Sequence, residues 1–368
     1  MKYSVLIFGF LILLACCKNR PTDDSEKPVS DTIAVSNFPD QRYQEEKHLK
    51  NVRQLTFGGD NAEGYFSIDN KMMVFQRTTK DSVFPCDQIF LGMLPQNPND
   101  SFQFKLVSTG AGRTTCSYFL NNTIIYASTH ENAPACPAEV DMQKVGKYAW
   151  SLYEYDIFQS DLEGNILRQL TDQKGYDAEA TVSPDGQTIV FTSTRSGDIE
   201  LWTMKFDGTD LKQVTNELGY DGGAFFTPDG KKLLFRASRP KTEDEIKEYK
   251  DLLSQNLVAP SDLELMMCNM DGSDLKQITN LGGANWAPFM HPDENRIIFA
   301  SNHKSETGRV FNLFMMKVDG SGLEQITFDT EFDSFPMFSS DGKKLIFASN
   351  RNNGETRNTN LFIADWVD

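Results

Sequence analysis

At 368 residues, with 39% apolar residues and 27 Phe among them, the chain has the means to bury a large core. Its formal charge of −16 disfavours binding to a phosphate backbone, which needs a basic surface to release counterions, so no nucleic-acid partner is expected. Basic peptides, cations or plain solubility remain as uses for that acidity.

The first residues read as an address. Lys2 gives a short positive start, Val5 to Leu14 an apolar run, and Leu13-Leu14-Ala15-Cys16 a small-residue cleavage site ending in cysteine. The run is too short to span a bilayer as a mature helix. It resembles a bacterial lipoprotein signal, with residues 1–15 removed and lipid on Cys16; an ordinary secretory signal, or Cys17 as the acceptor, are the alternatives. Residues 16–44 are polar, acidic and Pro-containing and read as a disordered tether from the lipid anchor, leaving 45–368 as the folded domain. Export implies an oxidising compartment, so the cysteines can be read for disulfides.

From Arg53 onward one unit recurs, worn in its first two copies and clear in the later four: Arg53, Phe104, Arg168, Lys212, Lys276 and Glu324 each begin one. A repeat of about 40 to 50 residues holding four short strand-like runs is the signature of a β-propeller blade. The fold class expected is all-β, a six-bladed propeller. The last copy ends at its third strand, Leu361 to Trp366, and lacks a fourth; the run Val52 to Phe57, standing before the first blade, supplies it and closes the ring. Within a blade, the inner strand (Glu179 to Ser183 in the clearest copy) leads through Pro184-Asp185-Gly186 to strand two. A second Asp-Gly pair, such as Asp207-Gly208, joins strand three to the outer strand. These Asp and Gly residues are turn chemistry, since Gly takes positive φ freely.

Length variation gathers in the loops between strands two and three, which share one face of an up-and-down ring: Thr79 to Asp87, His130 to Tyr155, and Pro240 to Asp262. The last should hold a helix, because Thr242 and Glu245 form a capping box ahead of Ile246, Tyr249, Leu252 and Leu253. Elaborated loops on a rigid scaffold are where binding gathers.

Two rows of residues emerge when the copies are aligned at the entry to the inner strand. Asn61, Thr114, Asp177, Asp221, Asn285 and Asp333 form one; Glu63, Cys116, Glu179, Gly223, Ala287 and Phe335, two residues on, form the other. Period-two spacing places both rows on one side of the strand, so Glu63, Asp177, Glu179, Asp221 and Asp333 should converge at the channel mouth with Asn61, Thr114 and Asn285. Such a rim is either a site for a basic peptide or a divalent cation such as calcium, or a hydrated tunnel whose carboxylates cap loop amides. No cofactor is otherwise implied. His130 and His303 take the repeat position held elsewhere by Arg195, Arg239 and Arg351, so they replace a structural arginine; His291 takes the place of Ser183. No His-Glu-x-x-His or Gly-x-Ser-x-Gly spacing occurs, and no catalytic residue is assigned. Cys86 and Cys136 lie in neighbouring loops of one face and form a candidate disulfide, with Cys116 as a competing partner and Cys268 a buried small hydrophobe.

The repeat Ser-Pro-Asp-Gly, Ile189 to Ser193, Arg195, Ile199 to Met204, Asp-Gly and Gln-Leu-Thr resembles the WD40-like repeat of TolB-type propellers, over about Val52 to Asp368. The resemblance implies a six-bladed ring, a periplasmic setting and protein partners. TolB carries a further α/β domain before its propeller, which the tether replaces here, so its Tol-Pal role does not simply transfer. Related oligosaccharide lyases use channel-mouth histidines and a metal, and the six aligned rim positions hold no histidine. The expected protein is a monomeric, non-catalytic binding scaffold of the cell envelope. It would face the periplasm or the cell surface, touch the membrane only through its lipid, and hold a protein or peptide partner. A metal-assisted hydrolase or lyase acting on peptides or oligosaccharides is the alternative.

Overall fold

A computed structural model of the chain describes residues 40–79, 84–97, 100–354 and 356–368. The expected signal peptide, Cys16 and most of the tether lie outside these residues. Among them run six four-stranded antiparallel sheets. Blade three shows the plan: inner strand Asp177–Val182, then Thr188–Ser193, Glu200–Lys205 and outer strand Lys212–Gln213. The inner strands touch one another in succession, and that of blade six (Asp333–Phe338) meets that of blade one (Asp60–Phe66), so the ring is complete. The faces that meet between blades are apolar and fully buried: Val190 and Leu201 of blade three pack with Ala224, Leu233 and Phe235 of blade four, and later blades repeat the arrangement.

The turn chemistry works as its residue types dictate. In the turn after the inner strand of blade three, Ser183 Oγ donates to Asp185 Oδ1 and accepts the Thr188 N–H at 2.9 Å. The threonine that ends each Leu-Thr or Ile-Thr run is a second repeated device. Its hydroxyl accepts a strand-three N–H, as Thr215 does from Leu201 at 2.9 Å and Thr279 from Leu265 at 2.8 Å.

Blade six takes its outer strand from the other end of the chain. Leu49–Gln54 pairs antiparallel with Asn360–Trp366, Gln54 opposite Phe362 and Leu49 opposite Trp366. Thr56 then accepts the Leu361 N–H at 2.9 Å, the same bond that Thr215 makes in blade three. The strand therefore starts three residues earlier than the expected Val52 and is longer than the two-residue outer strands of blades three to five. Asp40 to Gln44, expected within the tether, are folded onto the ring. The Asp40 carboxylate accepts the Asn51 and Val52 N–H groups, and Tyr43 donates to Asp329 at 2.8 Å.

Candidate functional site

The two rows of rim residues do not share a side of the inner strand. A β-bulge interrupts the ladder in all six blades, between Ala178 and Thr181 in blade three and at the equivalent place elsewhere. The second-row residue sits in it with positive φ: Glu63 at 53°, Cys116 at 49°, Glu179 at 57°, Gly223 at 60°, Ala287 at 47° and Phe335 at 50°. An extra residue breaks the period of two and re-aims one side chain. The first row therefore turns into the protein, while the second faces the channel.

The expected convergence of five carboxylates is thus corrected. Asn61, Thr114, Asp177, Asp221, Asn285 and Asp333 are all buried, and each donates its backbone N–H to a carbonyl at the start of the preceding blade's third strand. Their side chains stay local. Asp177 pairs with Arg195 at 2.6 Å, Asp221 with Arg239 at 2.7 Å and Asp333 with Arg351 at 3.1 Å. Where the acid is absent, so is the arginine. Beside Thr114, His130 Nδ1 lies 2.8 Å from Ser128 Oγ; beside Asn285, His303 Nδ1 lies 2.8 Å from Ser301 Oγ. Asn61 accepts from Arg77 at 3.2 Å. This row cements blade to blade.

The second row lines a cavity of about 540 Å³ in the channel mouth. Glu63, Cys116 and Glu179 give it a polar half and Ala287 and Phe335 an apolar one. Blade four contributes by omission. A Cβ on Gly223 would stand 2.0 Å from Arg236 Nη1, and one on Gly222 would stand 2.4 Å from the Tyr220 hydroxyl. The glycine pair leaves the space in which the Arg236 guanidinium binds the Glu179 carboxylate. Glu179 also accepts from Thr192 Oγ1 at 2.7 Å and from the Gly223 N–H at 2.9 Å, while Arg236 donates to Tyr220 Oη at 2.6 Å. A second ion pair in the wall joins Arg113 to Asp87 at 2.8 Å. Both pairs are internally neutral. Glu63 has no such partner: no donor reaches its Oε2, and burial pushes its carboxyl up to about 7.

The cavity is roofed. Trp150–Ser151, from the long loop of blade two, pairs antiparallel with Leu257–Val258, from the loop of blade four, bridging over blade three. Leu152 N–H continues the ladder to Asn256 O at 2.8 Å. Beneath this roof Trp150 stacks on Trp286 with ring centroids 5.5 Å apart, and Arg236 lies over the Trp150 ring at 5.3 Å. The expected helix, Glu243–Leu253, carries its capping box from Thr242 and Glu245 and packs Leu252 against Ala149 and Leu257. Tyr249 on the same helix donates to Gly219 O at 2.7 Å, tying the roof to blade three's exit. Cys86 and Cys136 are disulfide-bonded, their Cα atoms 5.9 Å apart, so the roof loop of blade two is also stapled to blade one; Cys116 and Cys268 are free. Sequence reasoning missed the roof and the Arg236 pair. The adjacent Gly222-Gly223, where other copies carry side chains, was the available signal for the latter.

Fold and site together define a six-bladed β-propeller with a covered channel mouth. The TolB beta propeller domain family matches residues 141–264 of it. Solved structures agree on the fold. A putative TolB from Agrobacterium tumefaciens aligns over 84% of this chain and 91% of its own with a TM-score of 0.55 at 15% identity. TolB from Acinetobacter baumannii aligns over 84% of this chain and 64% of its own with a TM-score of 0.51 at 17% identity. An oligogalacturonate lyase in complex with manganese gives a TM-score of 0.52 at 12% identity over 90% and 96% of the two chains. No curated protein matches the sequence. Among the described residues no helix is long and apolar enough to cross a membrane.

Proposed function

We propose that this protein is a non-catalytic binding scaffold of the cell envelope that holds a segment of a protein or peptide partner in the roofed channel mouth. The observation that carries the reading is the roof itself. Two loops from blades that are not neighbours pair with each other over a cavity of about 540 Å³ walled by Trp150, Trp286, Tyr220 and Phe335. Rigid aromatic walls with a few placed charges are the usual make-up of a binding pocket. The TolB-like fold supports a binding scaffold, and the Lys2 to Cys16 leader supports export and lipid anchoring.

The lyase alternative would need metal ligands, and the described residues contain no group of three or more His, Cys, Asp or Glu able to hold an ion. A calcium ion at the rim loses its expected ligands for the same geometric reason, since Asp177, Asp221 and Asp333 face away from the channel into ion pairs.

Affinity purification with crosslinking from envelope extract is the test, using the full chain and a variant in which residues 240–262 are replaced by a short turn. A discrete partner captured by the first and lost by the second is expected. A partner retained by the shortened chain, or none captured by either, would overturn the proposal.

A further inference from the structure

Of the charged groups in the cavity wall, Glu179 is matched by Arg236 and Asp87 by Arg113. Glu139, at the exposed edge, reaches the same Arg113 at 3.9 Å, and Glu63 is the carboxylate in the wall with no ion-pair partner among the described residues. Gln76, its neighbour on the adjacent strand, likewise leaves Oε1 without a donor. Inside the protein the Glu63 carboxyl is met by the Cys116 thiol and by no arginine. Around them the wall is aromatic: Tyr65, Trp150, Tyr176, Tyr220 and Trp286. The wall already holds cations by their faces. Arg236 lies over Trp150 at 5.3 Å and over Tyr220 at 5.5 Å, and Arg113 over Tyr153 at 5.4 Å.

A hard metal ion wants six or more oxygen ligands, which this wall does not offer. An organic cation wants one carboxylate and ring faces, which it does. We infer that Glu63, in the cavity that Trp286 and Trp150 also line, receives the ammonium or guanidinium of a basic side chain on the bound partner. This deepens the reading of the channel mouth as a partner site and rests on it. The formal charge of −16 draws such a partner in over distance.

The arrangement makes binding pH-dependent. Glu63 faces Glu179, Arg236, Cys116 and Asp87 from blades three, four, two and one; burial, helped by the Glu179 and Asp87 charges, outweighs the Cys116 hydrogen bond and Arg236 in holding its proton. A cation must displace that proton, so affinity rises as pH passes about 7.

The test is calorimetric titration of the full chain with acetyl-Ala-Lys-Ala-amide and its Nε-acetyl-lysine counterpart. The lysine probe should bind at least about tenfold more tightly at high pH, and this preference should shrink between about pH 8 and pH 6. Glu63→Gln, nearly isosteric, should bring the two probes together. Equal binding of the probes, no binding of the lysine probe, or a preference that survives Glu63→Gln would overturn the inference. The pH series on the unmodified protein decides the matter if that variant folds poorly. A partner captured equally by wild type and Glu63→Gln would end this inference alone; a partner indifferent to the blade-four loop would end the scaffold reading itself.

Discussion

Arg351 Nη2 lies 2.9 Å from Glu46 Oε1, and both side chains are fully shut from solvent although 305 residues separate them. The same guanidinium reaches Asp333 at 3.1 Å and lies over the rings of Tyr43, Phe347 and Phe362, within 4.9 to 5.7 Å of their centroids. In blades three and four the equivalent arginine has its aspartate but no second carboxylate as deeply buried; only the final blade adds Glu46, and Glu46 arrives with the closing strand. The pair is a lock between the two ends of the chain.

Removing one side of a buried pair strands the other charge. Glu46→Ala should therefore cost about 3–5 kcal/mol of stability, whereas Lys47→Ala on the exposed neighbour should change it by less than about 0.5 kcal/mol. Equilibrium urea unfolding of both variants checks this. Deleting residues through Phe57 should lower the melting temperature further, since it removes the Leu49–Gln54 ladder and the Thr56 bond as well. An unchanged melt would mean the ring does not depend on its closing strand.

Gly223→Ala tests the space kept for Arg236. Its Cβ would stand 2.0 Å from Arg236 Nη1, at a φ of +60°. Displacing a buried, paired guanidinium should cost about 1–3 kcal/mol. Gly230→Ala also has positive φ, but there the added Cβ would meet its nearest atom at 3.5 Å, in ordinary contact. The difference between the two in thermal unfolding isolates the contact from the backbone strain.

The disulfide closes a separation of 50 residues and should contribute about 4 kcal/mol by restricting the unfolded chain. Cys136→Ser should lower stability by that order and raise amide exchange at Trp150, Ser151, Leu257 and Val258, because the roof loop loses its hold on blade one. Exchange at the distant Phe347 and Phe362 should be unaffected until global unfolding.

Stability should fall as the solution turns alkaline. Burial pushes the carboxyl of Glu63 up to about 7 and that of Asp156 up to about 6. Each takes up its proton more readily folded than unfolded, so its contribution is fully present below the ordinary carboxylate range, near pH 4, and is lost as pH rises through 6 and 7. The melting temperature should be lower at about pH 8 than at about pH 5, and Glu63→Gln should flatten the upper part of that slope. A melt that rose over this range in the wild type would contradict the assignment.

What could be read from sequence was what the chain settles locally. The Ser183-to-Asp185 turn, the Thr242 capping box and the arginine or histidine before the loops of blades two to six are fixed by residues within a few positions of one another. The blade count follows, because each unit repeats those local devices. The rim failed at the bulge. Nothing in Ala178-Glu179-Ala180 announces a left-handed residue, and only Gly223 among the six equivalents is a residue that prefers one. One inserted residue then turned Asp177 inward and Glu179 outward. The roof failed for a different reason. Two-residue strands such as Trp150–Ser151 and Leu257–Val258 are too short for periodicity, and each needs a partner from a different blade.

The pairing of Leu49–Gln54 with Asn360–Trp366 also sets the order in which this molecule can be assembled. The strand Leu49–Gln54 has no mate until residues 360–366 have been made. During that interval the chain carries an unlatched strand at one end and a growing edge at the other, both able to pair with a neighbouring molecule. Synthesis that stops just short of Asn360 leaves blades one to five complete and the circle still open.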